Sequence, residues 1–279
     1  MITTIIGTGL IGGSMALLAK ANGFASTVLG VESSPAHAAK ALELGLVDEI
    51  CSLEVAIERS QFIIIAIPVD AVQNMLPMVL DKVDRQVVMD VGSIKGGIIS
   101  SVQGHPKRGR FVPTHPMWGT EYSGPEAASN DAFRNKATVI CNGDACDADA
   151  LQVAEAFYTS LQMHLVYMDA AEHDVHVAYI SHISHITSFA LANTVLEKER
   201  EEDAIFELAS GGFESTVRLA KSNPAMWAPI FMQNRENVLD VLNEHISQLR
   251  KFKSCLEKEN YSYLQELMEG ANKIRRIIK

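Results

Sequence analysis

The sequence lacks the features that would mark a membrane-spanning or secreted protein. Its apolar run QFIIIAIPV is interrupted at Pro68, well short of the roughly 20 residues that a helix needs to cross a bilayer. The first residues, MITTIIGTGLIGG, have neither the basic start nor the small-residue cleavage site of a secretory signal. We therefore expect a cytoplasmic protein that does not act in a membrane.

Paired cysteines and excess positive charge are also missing. None of the four cysteines forms a CxxC pair, which favours reduced thiols in a cytoplasm over disulfides. Lys and Arg number 24 against 34 Asp and Glu, a net charge of −10, and this argues against nucleic acid or an anionic membrane as a partner. An anionic substrate would then need a local cationic pocket.

What is present is an alternation of strand and helix patterns, followed by helices alone. Strands are predicted over residues 3–7, 27–32, 62–67 and 87–91, with shorter candidates at 110–113, 138–141 and 164–167, and helices over 10–22 and 34–44. After about Asp169 the spacing is helical, with no convincing strand. We predict an α/β fold: a Rossmann-type doubly wound sheet over residues 1–168, then an all-helical domain over 169–279.

The strongest short motif is IIGTGLIGGS, a GxGxxG that follows a strand and opens a helix. Gly7 permits the tight turn, Gly9 lets backbone amides approach a pyrophosphate, and Gly12 lets the helix pack close to the strand. The helix start at Leu10 and Ile11 offers free N–H groups to phosphates. The alternative is a glycine-rich turn that binds no nucleotide. The position of the motif between a strand and a helix, at the start of the chain, favours the nucleotide site.

Two residues at later strand ends extend the predicted cofactor site. Glu32 closes the second strand 20 residues after Gly12; its carboxylate would accept hydrogen bonds from a ribose 2′-OH and repel a 2′-phosphate. This favours NAD over NADP, unless Glu32 is an ordinary surface carboxylate. Pro68 in AIPVD would shape a loop beside the cofactor, since open sheets bind ligands at the carboxyl ends of their strands.

Polar side chains at two more strand ends are candidates for chemistry. Ser93 and Lys95 follow a strand in VVMDVGSIKGG; Ser93 could equally satisfy a turn or cap a helix, and Lys95 is expected at the surface. His115 follows RFVPT in THPMWGTEYSG, and the proline after it disfavours helical geometry. An imidazole held at the rim of a nucleotide site can take a proton near neutral pH. Loop packing is the alternative for His115.

HPMWGTE resembles the HPMxGTE segment of the prephenate and arogenate dehydrogenases of tyrosine biosynthesis. Other segments are similar to the same family in the same order: GTGLIGGS, DVGSIKG at 90–96, SHISH at 181–185 and SGGFESTVRLAKSNPAMW at 210–227. The resemblance implies a helical dimerisation domain, a homodimer, and an active site between the two domains. The implied reaction is NAD-dependent oxidative decarboxylation, in which hydride leaves the ring carbon bearing the hydroxyl and the ring carboxylate departs as CO2.

The resemblance also implies roles for particular residues. His115 would be the catalytic base, Ser93 would orient its imidazole and the substrate hydroxyl, and Glu121 would gate or organise the pocket. Arg218 would contact a substrate carboxylate, which a planar guanidinium can grip through two bonds. By itself Arg218 would be read as a surface arginine, and Glu121 as a solvated loop carboxylate.

The helical half contains further residues for which the sequence or the resemblance suggests a position. By resemblance Trp227 lines the pocket from the partner side; a packed interface aromatic is the alternative. Asn223 and Pro224 are predicted to cap and begin the helix that carries it. The resemblance makes His185 a pocket residue. Lys221, one turn beyond Arg218, is expected to be exposed.

Histidines at three-residue spacings in EHDVHVAYISHISH raise a metal hypothesis. Zinc sites usually add a Cys or carboxylate at defined spacing, and none is evident, so we predict no metal. The resemblance makes His182 a structural residue or one that supports a pocket residue, and His173 and His176 are expected to be surface or packing residues.

The sequence departs from the family in ways that bear on its substrate. Trp118 stands where a small residue is usual, and FESTVR replaces the more usual FRDTTR while keeping Arg218. Prephenate with NAD is favoured, and arogenate stays open as the substrate. Another two-domain reductase, such as a β-hydroxyacid dehydrogenase or pyrroline carboxylate reductase, and a non-catalytic NAD-binding sensor are the remaining alternatives.

Length and helix patterns complete the expectations. Neither a chorismate mutase domain nor an ACT domain is expected, so we expect no mutase activity and little inhibition by tyrosine through a regulatory domain. A helix over residues 226–249 is longer than a small domain needs, which makes a partner helix plausible. The tail over 254–279 is predicted to form one last helix.

Overall fold

The first half of the chain folds around one twisted sheet. The computed structural model describes residues 1–199 and 209–277. The strands are β1 (Ile2–Ile6), β2 (Thr27–Val31), β3 (Glu49–Ile50), β4 (Phe62–Ile65), β5 (Val87–Asp90), β6 (Phe111–Pro116), β7 (Ala137–Cys141) and β8 (His164–Met168). Their order is β3-β2-β1-β4-β5-β6-β7-β8. Neighbours are parallel except β6 and β7, which are antiparallel.

Helices cover both faces of this sheet. They are α1 (Leu10–Ala21), α2 (Pro35–Glu43), α3 (Leu53–Arg59), α4 (Val69–Lys82), α5 (Gly96–Ser100) and α6 (Ala148–Ser160). One cluster of buried apolar side chains packs α1 and α6 on the sheet, and a second packs α4 on the opposite face. Because β4 and β5 are buried throughout, their sequences are apolar, as is usual for buried parallel strands, except for the buried Asp90 at the end of β5. The predicted Rossmann-type fold is confirmed.

The chain reverses its direction of winding between β1 and β4, which are neighbours in the sheet. At this crevice Gly7 has a φ of 92°, and a Cβ on it would lie 2.5 Å from the Ala66 carbonyl oxygen. A Cβ on Gly12 would lie 2.0 Å from the Gly7 carbonyl oxygen. Glycine is therefore required at both positions, because α1 approaches β1 and β4 more closely than any side chain allows.

The second half contains helices only, within the part of the chain that the structure describes. They are α7 (Ala170–Val177), α8 (Ile183–Glu199), α9 (Gly211–Val217), α10 (Pro224–Gln233), α11 (Arg235–Glu257) and α12 (Tyr261–Ala271). A π-helical turn, Ala178–His182, joins α7 to α8 without a break. No helix in the described ranges is long and apolar enough to cross a membrane. Because β8 ends at Met168 and Asp169 caps α7, we propose the domain boundary after residue 168.

Two helix predictions for this half are wrong. The helix predicted over 226–249 is divided at Asn234, which ends α10 and begins α11. The buried Asn234 side chain donates to the Asp174 carbonyl oxygen at 2.7 Å, so a tertiary contact sets this break. The predicted tail helix is also divided, because Glu259 has a φ of 50° and Asn260 caps α12. Residues 278 and 279 of that prediction lie outside the described residues.

Candidate active site

A cavity of about 610 Å³ lies between the α/β half and the helical half. Most of the residues singled out in the sequence line it: Gly9, Leu10, Ile11, Pro68, Ser93, His115, Glu121, His185, Arg218 and Trp227. Gly7, Gly12 and Glu32 are not among the lining residues; they shape the turn and the strand end beside it. The strand ends of the sheet and the helices α8 and α10 thus face one space.

The crevice end of this cavity suits a dinucleotide. A Cβ on Gly9 would meet nothing within 4 Å, and no side chain caps the N-terminus of α1, so its N–H groups face open space. Glu32 accepts hydrogen bonds from the Thr8 N–H and hydroxyl at 3.0 Å and from the Ser34 N–H at 3.0 Å. Burial raises the pKa of Glu32, but these bonds outweigh it and leave the pKa below its usual value. An ionised carboxylate therefore stands at the end of β2.

His115 lies in β6 and is held by a second histidine. Its Nδ1 is 2.9 Å from Nε2 of His173, and Nδ1 of His173 is 2.8 Å from an oxygen of Asp174. Burial lowers the pKa of His115 well below its usual value, and the charges of His173, Lys95 and His182 lower it further. The imidazole is therefore neutral at neutral pH, as a general base must be.

The surroundings of His115 bear on two expectations. The resemblance gives Ser93 the role of orienting the imidazole; Ser93 lines the same cavity, and at Nδ1 of His115 the contact belongs to His173, so the role of Ser93 stays a prediction. His173 was expected to be a surface or packing residue; it is buried, and its ring also makes a hydrogen bond with His115 that was not foreseen. The two histidines are 58 residues apart, so no local spacing could have revealed their contact. The adjacent His and Asp in EHDVH were the available signal.

The loop that carries Ser93 is anchored at both ends by carboxylates. Lys95, expected at the surface, is fully buried, and its ammonium group binds Asp90 at the end of β5. That expectation was wrong because the ammonium has a buried acidic partner, without which it could not leave water. Further along the loop, the backbone N–H groups of Lys95 and Gly96 donate to the Asp174 carboxylate at 2.8 Å each. The loop therefore connects β5 to α7.

Arg218 and Glu121 meet across the mouth of the cavity. Nη1 of Arg218 lies 2.9 Å from Oε2 of Glu121. The side chain of Arg218 is 49% exposed, whereas that of Glu121 is 15% exposed. Lys221 is exposed as expected, 3.7 Å from Glu214. A cation from the helical half thus reaches the loop after His115. Lys136, which sequence reasoning missed, also lines the cavity.

Aromatic rings are among the residues that line the cavity. Trp227 stacks on His185 with ring centroids 3.4 Å apart, and its buried Nε1 has no hydrogen-bond partner among the described residues. Trp227 was expected to reach the pocket from a partner subunit, but it lines the cavity of its own chain. Asn223 caps its helix and Pro224 begins it, as predicted. Trp118 lines another side and packs edge-on against Phe133 at 5.0 Å.

The remaining histidines of EHDVHVAYISHISH have different surroundings and do not contact one another through hydrogen bonds among the described residues. Nδ1 of His185 donates to the Ser181 carbonyl oxygen at 3.0 Å, and His182 contacts the Asn234 amide at 3.2 Å. His176 is exposed. Within residues 1–199 and 209–277, no three His, Cys, Asp or Glu side chains are grouped so that they could hold a metal ion.

Comparison with known proteins yields two family matches that together span most of the chain. The model described as "Prephenate dehydrogenase, nucleotide-binding domain" matches residues 15–167, and "Prephenate dehydrogenase, dimerization domain" matches residues 169–270. The prephenate dehydrogenase of Bacillus subtilis (strain 168) is 31% identical over 275 residues, which cover 97% of this chain and 74% of that protein.

Two further relatives cover nearly all of this chain. The cyclohexadienyl dehydrogenase of Zymomonas mobilis is 27% identical over 278 residues, which cover 99% of this chain and 95% of that protein. The crystal structure of prephenate dehydrogenase from A. aeolicus, in complex with hydroxyphenyl propionate and NAD+, has a TM-score of 0.91 at 27% identity. That similarity covers 100% of this chain and 98% of the other.

Proposed function

This chain belongs to the prephenate dehydrogenase family, and we propose that it catalyses the NAD-dependent oxidative decarboxylation of prephenate to 4-hydroxyphenylpyruvate. The observation that carries the proposal is the position of the partly buried His115, whose pKa burial holds well below its usual value, between a dinucleotide crevice and an arginine. NAD is the proposed cofactor because the space in front of Gly9 is open and an ionised Glu32 ends β2. When bound, it would supply the hydride acceptor.

The chain's own residues would remove one proton from the substrate hydroxyl and later return it to the same oxygen. His115 would take the proton from the ring hydroxyl through its free nitrogen, Nε2, as hydride leaves the same carbon. The oxygen becomes a carbonyl, the ring carboxylate leaves as CO2, and the electron pair of the broken bond enters the ring. The oxygen then regains its proton from His115, giving a phenol. Aromatisation drives the reaction, so the protein mainly has to position ring and cofactor.

Charges in the cavity support prephenate over arogenate. The two compounds differ in side-chain chemistry: prephenate carries an oxo group and arogenate an ammonium group. Among the described lining residues, Glu121 is the only carboxylate, and it is already paired with Arg218. An ammonium group would have to compete with Arg218 for it, whereas the oxygens of prephenate would accept bonds from Arg218.

The test is reduction of NAD by the purified protein, with prephenate and arogenate in separate assays. Turnover should be faster with prephenate, and His115→Asn should lower kcat by about 10³-fold, within the range for loss of a general base. His176→Gln, which changes an exposed histidine, serves as the matched control and should keep full activity. Cofactor binding without reduction by either compound would contradict the proposal and favour another two-domain reductase or a sensor.

We also propose a homodimer formed through the helical half. The matched family model names that half a dimerization domain. Large apolar side chains stand exposed on α11 and α12, among them Leu256 at 67% and Tyr261 at 77%, more than an isolated helical surface usually carries. The purified protein should therefore have the mass of two chains by light scattering.

The free cysteines at 51, 141, 146 and 255 support the cytoplasm as the proposed compartment.

A further inference from the structure

Three ionisable side chains form a line that runs from the cavity into the interior. His115 faces the cavity, His173 lies behind it, and Asp174 lies behind His173. The two contacts measure 2.9 and 2.8 Å, both within ordinary hydrogen-bond range. His173 is 1% exposed and Asp174 is 8% exposed, so water does not compete for either bond.

The direction of each hydrogen bond follows from the far end of this line. Asp174 accepts the backbone N–H groups of Lys95 and Gly96 as well as the His173 ring. Burial raises the pKa of Asp174, but the bonds from His173, Gly96 and Lys95 outweigh it and hold the pKa below its usual value. An ionised carboxylate can only accept. Nδ1 of His173 must therefore carry a proton.

The same reasoning continues to the cavity. A neutral histidine with a proton on Nδ1 has a lone pair on Nε2, and that atom faces Nδ1 of His115. His115 must then donate from Nδ1, which leaves its Nε2 unprotonated. This is the nitrogen that a base needs toward a substrate hydroxyl.

We propose that His173 and Asp174 are positioning residues that hold His115 in the tautomer with its basic Nε2 directed at the cavity, and that they stabilise the imidazolium formed when it takes a proton. The catalytic part of this inference rests on the proposed function, whereas the tautomer does not. Asp174 has a second effect, because its bonds to Lys95 and Gly96 fix the loop that carries Ser93. The Asp174 carboxylate thus fixes both the tautomer of His115 and the position of the loop that carries Ser93.

The charged and titratable groups that face this line are Lys95, Asp90, His182 and Asp174. Lys95 and Asp90 face the line from β5 and its loop and neutralise each other. His182 faces it from the turn after α7, and burial, only partly opposed by Asp174, lowers its pKa to about 4. Asp174 is the negative group at the far end of the line, bound to His173. It can balance the positive charge that appears on His115 during turnover.

One competing arrangement would make the same two contacts. If His173 were doubly protonated beside Asp174, its Nε2–H would donate to His115 and force the proton of His115 onto Nε2. His115 could not then act as a base toward the cavity. The two arrangements differ in which nitrogen of His115 carries hydrogen, and that difference can be measured.

The first test is long-range ¹H–¹⁵N correlation of the histidine rings in the substrate-free wild-type protein at neutral pH, with signals assigned through His115→Asn and His173→Leu variants. We expect protonated Nδ1 and bare Nε2 on both His115 and His173. A proton on Nε2 of His115 in the wild type would overturn the proposal. The wild-type spectrum decides the tautomer, the variants serve only to assign its signals, and His173→Gln supplies the assignment should His173→Leu not fold.

The second test compares His173→Leu with His173→Gln. Leucine cannot accept the Nδ1–H of His115, so kcat should fall by about 10²-fold, the size expected for loss of a partner that orients a ligand or base. The amide oxygen of glutamine can accept that hydrogen, so kcat should recover at least tenfold relative to leucine. NAD affinity should change in neither variant. Equal activity of the two variants would contradict the proposal.

The two tests also separate this inference from the proposed function. If His115 has the expected tautomer but the protein reduces NAD with neither prephenate nor arogenate, the positioning of the base stands and the assigned reaction is wrong. His176→Gln, on the same helix but exposed, is the matched control and should leave both the spectrum of His115 and kcat unchanged.

Discussion

The two halves of the molecule have interiors of different composition. In the α/β half, the buried side chains are mostly apolar and form two clusters on the faces of the sheet. In the helical half, polar side chains are prominent among the buried residues of the described ranges: His173, Asp174, His182, His185, Ser188, Ser222 and Asn234. Large apolar side chains of that half, such as Leu256 and Tyr261, are exposed instead.

This difference in composition corresponds to different structural roles of the two halves. The first half is a scaffold whose strand ends carry the crevice and His115. The second half is organised around the cavity, and its buried polar groups bond to one another and to the loop after β5. Its stability should accordingly depend on hydrogen bonds, on pH and on a partner more than that of the first half does.

The largest effect should come from disturbing the close packing of the first half. In Gly12→Ala the new methyl would lie 2.0 Å from a backbone oxygen, so we expect unfolding free energy to fall by about 3 kcal/mol, the upper part of the range for overpacking. Gly9→Ala meets no atom within 4 Å and should change stability by less than about 0.5 kcal/mol. Urea titration measures both.

The Gly9→Ala and Gly12→Ala variants also distinguish an effect on packing from an effect on cofactor binding. Gly9→Ala should weaken NAD binding by roughly tenfold, since the methyl occupies space that a pyrophosphate needs. Calorimetric titration with NAD measures this change. If Gly9→Ala were the less stable variant, or Gly12→Ala were as stable as wild type, the assignment of the two glycines would be wrong.

A smaller effect is expected from the cationic residue that the helical half contributes. Arg218→Gln should raise KM for prephenate by about 10- to 100-fold, as expected for loss of hydrogen bonds to a charged group, with less change in kcat. Arg218→Lys should recover part of this loss, because it keeps the charge but not the two-pronged geometry. Steady-state kinetics supply the values.

The control for Arg218 is a neighbouring cation on the same helical turn. Lys221 is exposed and its contact with Glu214 is long, so Lys221→Gln should change KM by less than about twofold. An equal rise in both variants would mean that the general field of the surface, and not a direct contact, holds the substrate.

The smallest effect should be a pH dependence of stability that comes from the polar interior of the helical half. Burial lowers the pKa of His182 to about 4 in the folded protein, against about 6.5 in the unfolded chain. The unfolded chain therefore binds the proton first, and stability is lost as pH falls from about 6.5 to about 4. Between pH 7 and pH 5 the loss assigned to His182 is about 1–2 kcal/mol.

Removing the titrating group tests this assignment. In His182→Gln the amide oxygen can still accept from Asn234, while the difference in unfolding free energy between pH 7 and pH 5 should shrink by about 1–2 kcal/mol. His164→Gln replaces an exposed histidine of β8 and should leave that difference unchanged. Thermal unfolding at the two pH values gives the comparison, and an unchanged slope in His182→Gln would assign the effect elsewhere.

Sequence reasoning predicted the fold of the first half well, because glycine motifs, apolar runs and strand ends are local signals. The strand predicted over residues 87–91 is β5, Val87–Asp90. The break at Asn234 was missed because it depends on a bond to Asp174, 60 residues away. Local propensity cannot contain such a contact.

Prediction of the site had the same limit. His115 and Arg218 were found through their motifs, and the structure brings both to one cavity. Lys95 was expected at the surface and the contact of His173 with His115 was not foreseen, since each residue has an ionic or hydrogen-bonded partner in another element. Polar residues are read as exposed unless such a partner is known.

The π-helical turn Ala178–His182 sets which side chains of α8 face the cavity. Such a turn contains one residue more than the α-helix it interrupts, and each residue of an α-helix rotates the next by about 100°. Compared with an uninterrupted helix, His185 and every later side chain of α8 are therefore turned by about 100° relative to α7. Deleting one residue of the turn should accordingly rotate His185 out of the cavity.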